Sequence, residues 1–166
     1  MGDAAFTMVE LLVAVAIVAI LASLMVLGWP TIISSAANAR CLGNMKSLHV
    51  SLSSRVQDLG HWPQVPEDLD VSSAEDWWLS ELNDYGAPPE VWQCPSIQRQ
   101  ITSAGSDGRP KIHYSPTRFD EKPGTPYRWS TQPWLIEIGN MHGRGANICF
   151  PDGSIRPMIE VVGALQ

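Results

Sequence analysis

Charge, and positive charge above all, is what this sequence has little of. Eleven Lys and Arg stand against 17 Asp and Glu in 166 residues, and charged residues make up only 17% of the chain. An average soluble domain carries about 25%. The basic footprint of a nucleic-acid binder is missing, so no nucleic-acid partner is expected. Several catalytic signatures are also absent: Gly-x-Ser-x-Gly, a phosphate-binding loop, and His-Glu-x-x-His. The chain is therefore expected not to be an enzyme. No Cys-x-x-Cys pair is present to favour a zinc site. Disorder is excluded by 45% hydrophobic residues at a net charge of only −6. A multi-span transporter is excluded because one long apolar run stands alone.

That run is where the charge deficit is concentrated. Residues 1–29 hold no Lys or Arg, and their only acids are Asp3 and Glu10. From Leu11 to Trp29 there is no charge, and only Ser23 and Gly28 fall outside the apolar set. Nineteen helical residues rise roughly 28 Å, close to the ~30 Å hydrocarbon thickness of a bilayer. The stretch lacks the basic start, the short apolar run and the small-residue cut site of a cleaved secretory signal. A single membrane-spanning helix is the expectation. Glu10 does not fit a plain anchor. A carboxylate within hydrocarbon costs at least ~2.5–3.5 kcal/mol, so it needs a partner, a task or an interfacial position.

The segment Phe6-Thr7-Met8-Val9-Glu10-Leu11-Leu12, followed by an Ala/Val/Ile/Leu helix, resembles the processing and methylation site of type IV pilins and type II secretion pseudopilins. Ala5 stands where that family usually has Gly, and the leader carries no base. Further along, Cys41-Leu42-Gly43-Asn44-Met45-Lys46 resembles a Cys-x-x-Asn-Leu-Lys segment of pilin-like proteins. Cys94-Pro95-Ser96 resembles their Cys-Pro-Ser. His142, nine residues, then Asp152-Gly153 matches their C-terminal signature.

The resemblance implies cleavage between Ala5 and Phe6 by a prepilin peptidase and methylation of the new Phe6 terminus. Glu10 would pair with the terminal amine of a neighbouring copy. Two charges that are costly near lipid would thereby set the axial register. The implied partners are other copies, related pilin-like subunits and an inner-membrane assembly platform. The implied location is the inner membrane, with a periplasmic head that joins a filament of the pilus or pseudopilus type. The alternative left open is a membrane-tethered binding module that does not polymerise.

Beyond the span the pattern turns amphipathic. Cys41, Met45, Leu48, Leu52, Val56 and Leu59 recur at spacings of three and four, one face of a helix. Asn38, Lys46, Ser51 and Arg55 fall mostly off that face. Pro30 is expected to kink this helix rather than stop it, and Gly60 to cap it. The expected fold class is α+β and pilin-like. Residues 1–5 form a leader, 6–29 a membrane and assembly helix, 30–60 its amphipathic continuation, and 61–166 a globular head.

In the head, Ser73 is expected to cap a short helix that ends by Gly86. Residues 87–133, with eight prolines and three glycines, read as loops, with a strand at Lys111–Ser115. Trp134–Ile138, Ala146–Phe150 and Ser154–Met158 read as strands. Pro151-Asp152-Gly153 reads as the turn between the last two. Trp62, Trp77, Trp78, Trp92, Trp129 and Trp134 are expected to build the core.

Three cysteines allow one disulfide with one left over, or none. A Cys41–Cys94 bridge would tie a loop to the helix, while Cys149 reads as a small buried residue. Nine acids and no base lie between Arg55 and Arg99, whereas residues 99–128 hold six bases and three acids. This sorting by sign would suit two solvated faces or complementary contacts between neighbouring heads. Glu67, Asp68 and Asp70 are a loose calcium-ligand candidate without EF-hand spacing, and no other cofactor is expected. The first prediction concerns processing. Mass spectrometry of the mature protein should find an N-terminal peptide beginning at methylated Phe6, and an intact Met1 terminus would overturn it.

Overall fold

The computed structural model describes residues 7–104, 110–139 and 145–163, leaving aside the side chains of 26–31 and 103–104. Helix α1 (Met8–Leu59) is 52 residues long and continues across Pro30. It ends at Gly60, whose φ of 77° is the left-handed conformation glycine adopts without strain. The chain divides into two compact units, Met1–Ala36 and Ala37–Gln166, with the boundary inside α1. In the first unit every described side chain is exposed. Met8–Met25 is long and apolar enough to cross a membrane.

The second unit is built on the C-terminal half of α1. Cys41, Met45, Leu48, Leu52 and Val56 are all buried there, as their spacing requires. Two expectations about this helix fail at its end. Leu59 is 51% exposed, because the helix stops before its last turn meets the core. Ser51 and Arg55 are buried although they were placed off the apolar face. Ser51 satisfies its hydroxyl on the Ser47 carbonyl at 3.1 Å. The Arg55 guanidinium donates to Glu81 Oε1 from Nε (2.7 Å) and Nη2 (2.6 Å), and to the His61 carbonyl from Nη1 (2.9 Å). A buried charge is tolerated when it is paired and hydrogen-bonded in this way.

Helix α2 (Val71–Asn83) starts earlier than expected. Asp70, not Ser73, is its N-cap: Asp70 Oδ1 accepts the Ser73 N–H at 2.9 Å. The carboxylate satisfies an orphan donor of the first turn. Trp78 and Leu82 turn its apolar face inward. A single 3₁₀ turn follows at Pro89–Trp92.

Helix α3 (Pro95–Ala104) contradicts the reading of residues 87–133 as loops. Proline is at home in the first helical position, where its missing N–H has no partner to lose. Ile97 and Ile101, four apart, pack on the core.

The sheet has four short antiparallel strands in the order β1 (Tyr114–Pro116), β2 (Leu135–Glu137), β3 (Asn147–Cys149) and β4 (Ile155–Pro157). Pro116 sits in the edge strand β1, where its lack of an N–H costs least. Short helices α4 (Thr125–Arg128) and α5 (Met158–Gly163) were not foreseen. A long N-terminal helix followed by a small head with an antiparallel sheet is the α+β, pilin-like arrangement expected from the sequence.

Tryptophan fills the head as anticipated, with one exception. Trp62, Trp92 and Trp134 are fully buried and Trp78 nearly so, while Trp77 packs on the core from its margin. Trp62 meets Trp134 edge-on at 5.0 Å and Phe119 at 4.9 Å. Trp129 is 54% exposed with the Arg128 guanidinium over its ring. The cation–π contact keeps the indole at the surface beside its charged neighbour.

Leu48 and Leu59 give a paired prediction. Leu48→Ala should lower stability by about 2–5 kcal/mol, whereas Leu59→Ala should stay within about 0.5 kcal/mol. Urea unfolding of the full chain in detergent micelles measures both, and equal losses would contradict the burial of the stripe.

Candidate functional site

The first site lies at the start of α1. Thr7 precedes the helix, and Glu10 closes its first turn. Glu10 Oε2 accepts the Thr7 N–H at 2.9 Å and the Thr7 hydroxyl at 2.7 Å, and Thr7 Oγ1 accepts the Glu10 N–H at 3.2 Å. This is a capping box, with reciprocal bonds between the cap residue and the third helical residue. The spacing Thr-x-x-Glu before an apolar run was legible in the sequence, although only the Glu drew notice there. The carboxylate therefore has an intramolecular partner in the single chain. It remains exposed at the head of an apolar stretch, Met8–Met25, whose side chains are all exposed.

Residues 1–26 match the prokaryotic N-terminal methylation motif. The match is confined to the N-terminal segment, and it agrees there with the resemblance of Phe6–Leu12 to type IV pilin-like proteins. No curated protein and no solved structure matches the sequence. Within the methylation motif, Glu10 and Thr7 are described, whereas Ala5 and Phe6 lie outside the described residues, as does His142.

In the head, Cys41 of α1 and Cys94, just before α3, are joined in a disulfide across 53 residues of sequence. Bonding takes both sulfurs out of thiolate chemistry, although Glu137 brings a carboxylate oxygen within 4.8 Å of them. Cys149 is free and buried, and burial pushes its thiol up to about 12. A thiol in that environment is a packing group rather than a nucleophile.

Around the disulfide lie polar groups that drew no notice in the sequence. Glu137 is 2% exposed, and its Oε2 accepts the N–H (3.1 Å) and side-chain amide (2.7 Å) of Asn147. His113 is fully buried, with Nδ1 accepting the Cys94 N–H at 2.9 Å and Nε2 without a hydrogen-bond partner among the described residues. Burial holds its pKa below the ordinary histidine value. The Tyr114 hydroxyl donates to the Cys41 carbonyl at 3.2 Å. An acid within the apolar run Trp134-Leu-Ile-Glu-Ile138 was the available signal for Glu137. For His113 the sequence offered none.

The signature residues Asp152 and Gly153 form the β3–β4 turn, and that turn is held by α1. Lys46 Nζ donates to the Gly153 carbonyl at 3.0 Å. His49 Nε2 lies 3.0 Å from the Pro151 carbonyl, and the ring stacks on Trp134 with centroids 5.0 Å apart. Asp152 Oδ1 accepts the Ser154 N–H at 2.8 Å, which shapes the turn, and hydrogen bonding by the Ser154 side chain and backbone holds its carboxyl below the usual range. Lys46 belongs to the segment singled out for its resemblance, so two motifs far apart in sequence meet here.

The calcium candidates are placed differently. Glu67 and Asp68 are exposed in a turn, and the Asp70 carboxylate is engaged as the cap of α2. The sorted charges are partly paired inside one head, as Arg55–Glu81 and Lys111–Asp76.

Gly153 carries a prediction. Its φ is 75°, and a Cβ there would come 2.7 Å from Lys46 Nζ and 3.1 Å from His49 Cε1. Gly153→Ala should cost about 1–3 kcal/mol from backbone strain alone. Chemical denaturation should find it less stable than Gly124→Ala, a site with open space around the added carbon.

Proposed function

We propose that this protein is a structural, non-catalytic subunit of a filament of the pilus or type II secretion pseudopilus type. In this reading a prepilin peptidase cuts it after Ala5. It then waits in the inner membrane with its head in the periplasm, and it assembles with other copies and related subunits at an inner-membrane platform. The observation that carries the reading is the conjunction at the start of α1. A methylation motif leads into the apolar stretch Met8–Met25, whose side chains are all exposed and among which Glu10 is the one ionisable group.

An apolar surface of this length must be covered, first by lipid and then, in the proposed filament, by the same helix of neighbours. Lipid tails are as apolar as the helix, so leaving them gains little hydrophobic energy. A specific polar contact is needed to favour assembly. Glu10 supplies it by exchanging its capping-box partner, Thr7, for the terminal amine of the next subunit. Pairing the two charges in a low-dielectric bundle relieves a penalty that each bears alone, and this fixes the axial register.

The test is Glu10→Leu. The variant should still fractionate with membranes, because it is more apolar than the parent. Its recovery in sheared filaments should fall at least about tenfold, corresponding to ~1.4 kcal/mol of lost assembly energy. Unchanged recovery would leave a tethered binding module as the better reading.

A further inference from the structure

The C-terminal turn has no part in the assembly reading, yet it is one of the most constrained points in the head. Three groups converge on it. Lys46 and His49, successive donors on one face of α1, address the carbonyls of Gly153 and Pro151. The Trp134 ring, just before β2, stacks on the imidazole from the side. Gly153 has no side chain because Lys46 Nζ and the His49 ring occupy the place one would take. From these contacts we propose that the Pro151–Gly153 turn is a clasp fixing the C-terminal hairpin to α1, and that protonation of His49 opens it.

The clasp is local to the head and does not depend on polymerisation. Neutral His49 is adequate for the observed bond, since its Nε2–H donates to the Pro151 carbonyl. Protonation adds a cation to a half-buried ring and places it beside Lys46 Nζ. Among the described residues, the ionisable groups acting on the ring are Lys46 from α1 and Asp152 from the turn. Arg156 of β4 acts on Asp152, and the buried Cys149 thiol of β3 stays neutral. Asp152 would attract the imidazolium, but its carboxylate is exposed and already committed to Ser154.

Burial is the largest influence and holds the His49 pKa below the ordinary value. Lys46 acts in the same direction, and the Pro151 carbonyl and Asp152 oppose it. The sign follows from linkage. The unfolded or unclasped ring takes up a proton near its reference pKa of about 6.5, whereas the clasped ring resists it. The clasp therefore keeps its full strength above that pH. It weakens as pH falls from there toward the depressed pKa of the clasped state.

Hydrogen–deuterium exchange of the full chain in detergent micelles tests this, read on peptides covering 145–157 at pH 7.5 and pH 5.0 and corrected for intrinsic exchange. In the wild type, protection of the hairpin should fall about threefold or more at the lower pH. His49→Gln keeps a donor for Pro151 but cannot titrate, and its hairpin protection should be the same at both values. Lys46→Gln removes the neighbouring cation and should shrink the acid loss, which keeps the test available if His49→Gln fails to fold. An unchanged wild-type hairpin would overturn the proposal. So would an acid loss of wild-type size in His49→Gln, because that would assign the effect to another group such as buried His113.

Discussion

A helix that is apolar along one side is stable in water only when something covers that side, and the head exists as that cover. The stripe from Cys41 to Val56 is the surface on which the rest is laid. Tyr114 reaches its backbone at Cys41, and the disulfide leaves from the same residue. Arg55 ties α2 to it through Glu81, and Lys46 and His49 hold the last hairpin. The strands are only three residues long, too short to form an independent sheet. Tyr114, Leu135 and Cys149, one from each of the first three strands, share the core with the α1 stripe and the buried tryptophans.

The other half of the same helix has the opposite problem. It is apolar all round and its described side chains are all exposed, so its environment must supply a cover. Thr7 and Glu10 finish its first turn by bonding each other. A carboxylate already satisfied by two donors can rest at a bilayer interface at little cost, and it yields only to a stronger partner. The capping box and the proposed amine contact are thus competitors for one side chain.

The parts of this architecture governed by periodicity were legible in the sequence. The length of α1, its buried stripe, the Gly60 terminus and the three C-terminal strands all follow from spacing and turn chemistry. Where single residues decide, the sequence misled. Asp70 rather than Ser73 caps α2 because either side chain can accept an N–H two or three residues further on, and only the fold selects which does. Helix α3 was hidden by counting prolines without weighing their position. Trp129 looked like core because tryptophan usually is, but its sequence neighbour Arg128 offers it a reason to stay outside. His113 and Glu137 are buried by long-range contacts that no local pattern announces. The signature Asp152-Gly153 was visible as a motif, but its use was not, since the groups that need the glycine lie more than a hundred residues earlier.

The cross-link between Cys41 and Cys94 also has a mechanical side. A pull transmitted along α1 enters the head near Cys41, where a covalent bond crosses directly to the start of α3. The intervening segment, with the end of α1, all of α2 and the 3₁₀ turn, is bypassed by the load. At about 3.3–3.6 Å per extended residue, roughly 180 Å of contour is withheld from stretching. Under tension the head would yield from its C-terminal side, where strands are held by hydrogen bonds, while the ring closed by the two cysteines travels as one piece.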